Sequence, residues 1–152
     1  MRAFVDSNVV VYALTDQDSA KGAQARALLE QHASAGSLVV STQVLGETFN
    51  VLTRKRGIGG RDALEAVRLP ARYEVVAPTV VSTLAALELA VRHQLSTWDA
   101  MLVQAAMQAR CDVLCSEDMQ PGRWFDRTQV VNPFHPAAHE ALPPSGGPAE
   151  GR

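Results

Sequence analysis

Apolar residues recur along the chain in two rhythms. Short unbroken runs, Ala3-Phe4-Val5, Leu38-Val39-Val40 within SLVVS, the valines of YEVVAP, DVLCS and TQVV, have the length and β-branched content of strands. Between them lie longer stretches with helical spacing. Ser19 to Ala35 carries Ala23, Ala27, Leu28 and Ala33 and stops at Gly36. TQVLGETFNVLTRKRG sets Val44, Leu45, Thr48, Phe49, Val51 and Leu52 on one face and ends at Gly57. Arg61 to Leu69, closed by Pro70, and then TVVSTLAALELAVRHQ and STWDAMLVQAAMQAR complete the helical set.

Strands alternating with helices imply an α/β fold, a parallel sheet covered by helices on both faces, with polar ligands bound at the carboxyl ends of the strands. Asp6 stands at such an end. It separates Ala3-Phe4-Val5 from Val9, Val10 and Val11, and an ionised group among so many apolar neighbours belongs where strand gives way to helix. The segment PFHPAAHEALPPSGGPAEGR holds five of the eight prolines and has no apolar period beyond its start. A folded domain over 1–134 and a disordered Pro/Gly/Ala-rich tail over 135–152 are therefore expected. His135 and His139 have a metal-binding interval only on a helix, which the prolines oppose.

A chain of 152 residues with 47% hydrophobic and 20% charged content suits one domain with a real core. The formal net charge of -2 excludes a uniformly basic nucleic-acid coat, although a local basic patch remains compatible with it. Cys111 and Cys115 are too few for a disulfide framework and wrongly spaced for a zinc ribbon. They are expected as reduced, buried thiols in a reducing compartment, the cytoplasm; no window approaches a membrane span, and no secretion signal opens the chain.

Four acids call for explanation: Asp6 after the first strand, Glu47 in VLGETFN, Asp99 in STWDAM and Asp118 in LCSEDM. Each has a plain structural reading. Asp6 and Asp118 are good cap and turn residues, Ser96 to Asp99 fits a capping box in which Asp99 reaches back, and Glu47 could pair locally at the edge of its helix. Glu47 nevertheless borders the apolar face beside Val44 and Val51, sharing a strip with Asn50 and Arg54. Brought together at one sheet edge, four carboxylates would repel and raise one another's pKa unless a cation neutralised them. A hard divalent ion, Mg²⁺ or Mn²⁺, prefers such oxygen donors, and one or two of them could serve phosphodiester hydrolysis.

In combination, VDSN, ETFNVLTR, WDAM, CSEDM and VVNPF resemble a PIN-domain protein over about residues 1–134, and more narrowly a VapC-type toxin of a toxin–antitoxin pair. The resemblance implies a three-layer α/β/α sandwich with a mostly parallel sheet, and Mg²⁺- or Mn²⁺-dependent endoribonuclease chemistry that inhibits translation and growth. It also implies a homodimer and a cognate VapB-type antitoxin. By motif match the catalytic and metal-binding roles fall on Asp6, Glu47, Asp99 and Asp118, with Ser116 and Asn8 supporting the site; Glu117 is a poorer match. The basic run Arg54, Lys55, Arg56 would hold RNA phosphates, or simply end a helix favourably for its dipole.

Rival readings fit less well. A haloacid-dehalogenase-like site needs a second acid where Asn8 stands, a receiver domain wants an acid pair ahead of its aspartate, and GIGG lacks the lysine of a phosphate loop. The rival from another class is a PIN-like RNA- or protein-binding module that does not cut, for which a cluster of four repelling acids would be unnecessary.

Overall fold

The computed structural model describes residues 1–135, so the expected tail lies, apart from His135, outside the described residues, as does His139. Strand β1 (Ala3–Val5) leads into helix α1 (Ser7–Thr15) and, after a short turn, α2 (Ala20–Ser34). Strand β2 (Leu38–Ser41) is followed by α3 (Thr42–Arg54), α4 (Gly60–Arg68) and a 3-10 turn at Pro70–Arg72. Strand β3 (Glu74–Val76), helices α5 (Val80–His93) and α6 (Thr97–Gln108) and strands β4 (Val113–Cys115), β5 (Trp124–Phe125) and β6 (Thr128–Val131) complete the described chain.

The sheet order is β3-β2-β1-β4-β6-β5, parallel except for the β5–β6 hairpin at one edge. Crossovers between parallel strands are right-handed, so stepping from β1 to β2 to β3 places α1–α4 on one face, and the return to β4 on the other side of β1 places α5 and α6 opposite. The result is a three-layer α/β/α sandwich. With helices on both faces, the central strands have no solvent side: every residue of β1, β2 and β4 is buried, with Phe4, Val39 and Leu114 fully enclosed, as is Val130 on β6. Cys111 and Cys115 are free and buried as expected, and burial pushes the Cys115 thiol up to about 12.

Helix starts follow short polar side chains. Ser19, Ser41 and Ser96 each accept a backbone N–H of their helix, and Thr79 and Ser82 form a reciprocal capping box at α5. The expected end of α3 at Gly57 is corrected to Arg54: Lys55 caps the helix, and Gly57, at φ +67°, supplies the left-handed turn that a side chain would resist. Gly22 in α2 has a different purpose. A Cβ there would lie 1.7 Å from the Asp16 carbonyl oxygen, so α2 can approach the end of α1 this closely only without a side chain.

Candidate functional site

The sheet order reverses between β1 and β4, and in open α/β sheets the crevice at such a switch point is where ligands bind. Val5 and Cys115 are register partners, so the residues that follow them, Asp6 and Ser116, emerge side by side at the carboxyl edge. The Asp6 N–H donates to the Cys115 carbonyl at 3.0 Å, and the Ser116 hydroxyl donates to Asp6 Oδ2 at 2.8 Å. Asp6 is also the N-cap of α1, its Oδ1 accepting the Ser7 N–H at 2.7 Å. The cap reading and the site reading therefore describe one side chain.

Two further acids join through short polar side chains. Asn8 Nδ2 donates to Asp118 Oδ2 at 3.1 Å and, more weakly, to Asp6 Oδ2 and Ser116 Oγ, both at 3.4 Å. The Ser7 hydroxyl reaches Glu47 Oε2 at 3.1 Å and Asp6 Oδ1 at 3.4 Å. Glu47 lies on α3, which starts directly where β2 stops, so its carboxylate turns toward the same edge. Asp6, Glu47 and Asp118 are thus linked.

Asp99 is not drawn into that network. It stands half-buried in the first turn of α6, where its backbone N–H donates to Ser96 Oγ at 3.1 Å; its carboxylate completes no reciprocal box. The link across is Gln43, whose Nε2 donates to Glu47 Oε1 at 2.9 Å and to the carbonyl of Trp98, next to Asp99, at 3.3 Å. Glu117 faces the other way and pairs with Lys21. Arg54 and Lys55 are exposed, whereas Arg56 pairs with Asp16 at 2.7 Å and lies over the Tyr12 ring.

Asp6 is only 5% exposed. Burial pushes its carboxyl up to about 6; hydrogen bonds from Ser116 and Ser7 work against that, and the charges of Glu47 and Asp118 add to it. None of the four acids forms an ion pair with Lys or Arg among the described residues. The donor set is all oxygen and uncompensated, which suits a hard divalent ion. Among the described residues no three His, Cys, Asp or Glu side chains stand close enough to form a ready-made cage. An ion held here would therefore keep several waters, as Mg²⁺ usually does.

Sequence reasoning overlooked Ser7, Gln43, Tyr12 and Lys21. Gln43 was findable, being one helical turn before Glu47. Lys21 was not: its partner is 96 positions away.

A family model described as PIN domain matches residues 3–129. No curated protein matches significantly. Among solved structures, the Mycobacterium tuberculosis toxin VapC20, described as cleaving the sarcin–ricin loop, superposes with a TM-score of 0.58 at 24% identity, covering 74% of this chain and 86% of its own. Rickettsia felis VapBC2, bound to a DNA fragment from its promoter, gives a TM-score of 0.65 at 15% identity over 86% of this chain and 97% of its own. At these identities both likenesses concern the fold.

Proposed function

The chain belongs to the PIN-domain family, and from that premise we propose that it is a Mg²⁺- or Mn²⁺-dependent endoribonuclease, the toxin of a toxin–antitoxin pair that inhibits translation and growth. The observation that carries this reading is the buried, uncompensated Asp6 carboxylate, linked to Glu47 and Asp118 at the switch point of the sheet. A carboxylate kept in so unfavourable a setting is explained by a cation that it is there to receive.

In this reading Asp6, Asp99 and Asp118 would hold the main ion, in part through its waters, and Glu47 would complete or position a second. A bound ion supplies a more acidic water and neutralises charge on the phosphate. Ser116 and Asn8 fix the orientation of Asp6 and Asp118 through the hydrogen bonds described above, and Gln43 holds Glu47 toward α6. Arg54 and Lys55, exposed at the end of the helix that carries Glu47, would take RNA phosphates; Arg56 would first have to leave Asp16. The likeness in fold to Rickettsia felis VapBC2 supports a VapB-type antitoxin as partner, and a cytoplasmic location is part of the same proposal.

Purified protein incubated with mixed cellular RNA should yield discrete fragments with Mg²⁺ or Mn²⁺ and none with chelator. Intact RNA after incubation with folded, metal-loaded, antitoxin-free protein would favour the non-cutting binding module instead.

A homodimer is part of the proposal, and α5 offers its surface. Val80, Leu84, Leu87 and Val91 follow the 4-3-4 spacing of a coiled-coil seam and are 78%, 58%, 39% and 84% exposed. The seam is self-complementary in an antiparallel pair, where Leu84 meets the partner's Leu87 and Val80 meets the partner's Val91. Leu84→Glu should therefore sediment as a monomer while the wild type sediments as a dimer; a monomeric wild type removes this surface from the proposal.

A further inference from the structure

We infer that the Lys21–Glu117 ion pair is a positioning device for Asp118. The inference deepens the nuclease reading and rests on it for its consequence, although the geometry stands by itself. Glu117 immediately precedes Asp118 in the loop after β4. Its backbone N–H donates to Asn8 Oδ1 at 3.3 Å, while the amide of the same Asn8 donates to Asp118 Oδ2 at 3.1 Å. The Asp118 N–H is taken by Ser116 Oγ at 3.2 Å. The Asn8 bonds tether residues 117 and 118 to α1, the Ser116 bond lies within the loop, and the flanks are anchored by the Ser116 N–H on the Val131 carbonyl at 3.0 Å and by the buried Met119.

A further tether is the Glu117 side chain, which turns away from the acids to Lys21 in the first turn of α2. Lys21 is itself confined. Its ammonium lies 5.1 Å from the Tyr12 ring centroid and 5.4 Å from that of Phe134, and the two rings meet edge to face at 5.2 Å. Gly22 beside it brings the start of α2 hard against the end of α1. Asp118 is itself exposed and held by its side chain only at Asn8, so a tether on the adjacent Glu117 narrows the directions its carboxylate can take. Glu117 and Lys21 are thus positioning residues, acting through Asp118 without touching the reacting atoms.

Lys21→Met and Glu117→Gln should each weaken Mn²⁺ binding, measured by titration calorimetry on the full chain, and lower kcat, both by about tenfold, the usual effect of losing a group that orients a metal ligand. KM for RNA should stay unchanged. Lys21→Arg, which keeps the ion pair, should restore most of both losses. The double variant should be no worse than either single one, because both remove the same contact. Lys21 is half exposed, so its variants leave the core untouched and serve if those of Glu117 prove unstable.

Folded single variants with wild-type Mn²⁺ affinity overturn the inference. So does a raised KM with losses that multiply in the double variant, which would mark Lys21 as a direct phosphate contact. A wild type that binds Mn²⁺ but cleaves no RNA sinks the ribonuclease reading alone, and the calorimetry still decides this one.

Discussion

Asp6→Asn is expected to do two opposite things: to slow RNA cleavage by about 10³-fold, and to raise the melting temperature of the metal-free protein. The first follows because the substitution removes charge from the most enclosed of the four acids, and deleting one preorganised electrostatic partner costs catalysis about 10²–10³-fold. The second follows from the same burial. The Asp6 carboxyl sits at about 6 in the folded chain against an ordinary 3.8, so between these values the folded state holds a proton that the unfolded state has released. The stability associated with that proton is fully present below pH 3.8 and is lost as pH rises through about 6. At pH 7 the deficit is of order 2–3 kcal/mol, by the worth of a pKa unit.

The asparagine variant carries no such charge deficit; its NH2 would face donors that the carboxylate accepted, a cost that does not vary between the two pH values. Its gain over the wild type in chelator should be large at pH 7 and shrink toward pH 4, and saturating Mg²⁺ should close the gap by stabilising only the wild type. Thermal melts of both proteins at the two pH values, with and without metal, check this. Equal melting temperatures in chelator at pH 7 would mean that the carboxylate is not strained by its surroundings.

Asp99→Asn is expected to leave the fold nearly intact while cutting cleavage at least about 10²-fold. Helix α6 is capped by Ser96, which binds the backbone N–H of residue 99 and so does not depend on the carboxylate. The helix loses only a favourable first-turn charge, about 0.3–1 kcal/mol. The separation of Asp99 from the Asp6–Asn8–Asp118 network gives this variant particular weight, since a large effect can arise only if metal or substrate spans the gap. Cleavage of a defined RNA under metal-replete conditions, with a near-ultraviolet spectrum matching the wild type, is the measurement. Full activity would remove Asp99 from the site and leave an enzyme built on three acids.

The strands and long helices were legible because burial dictates their composition. Ala3-Phe4-Val5 and Leu38-Val39-Val40 are apolar on both faces, which occurs where helices cover both sides of a parallel sheet. The same logic singled out Asp6 as the residue that ends the strand, although its side chain stays buried. The Trp124–Phe125 edge strand was not legible: two residues carry no period, and only the hairpin with Thr128–Val131 defines them as a strand. Nor could the sequence separate Arg56 from Arg54 and Lys55, because the difference lies in Asp16, 40 positions earlier. For Asp99 the cap reading was half right: Ser96 caps, but the carboxylate remains available.

The hydrogen bond from Ser116 to Asp6 closes a loop of 110 residues. During synthesis at about 5–20 residues per second, Ser116 follows Asp6 out of the ribosome by roughly 5–20 s. Throughout that interval β1 has at most one of its two neighbours, and Asp6 has no hydroxyl from Ser116 to orient it. Prematurely terminated chains that stop short of Cys115 would lack Asp118 and have no switch point. On the proposed reading, the chain would gain its nuclease activity only once the sheet has closed.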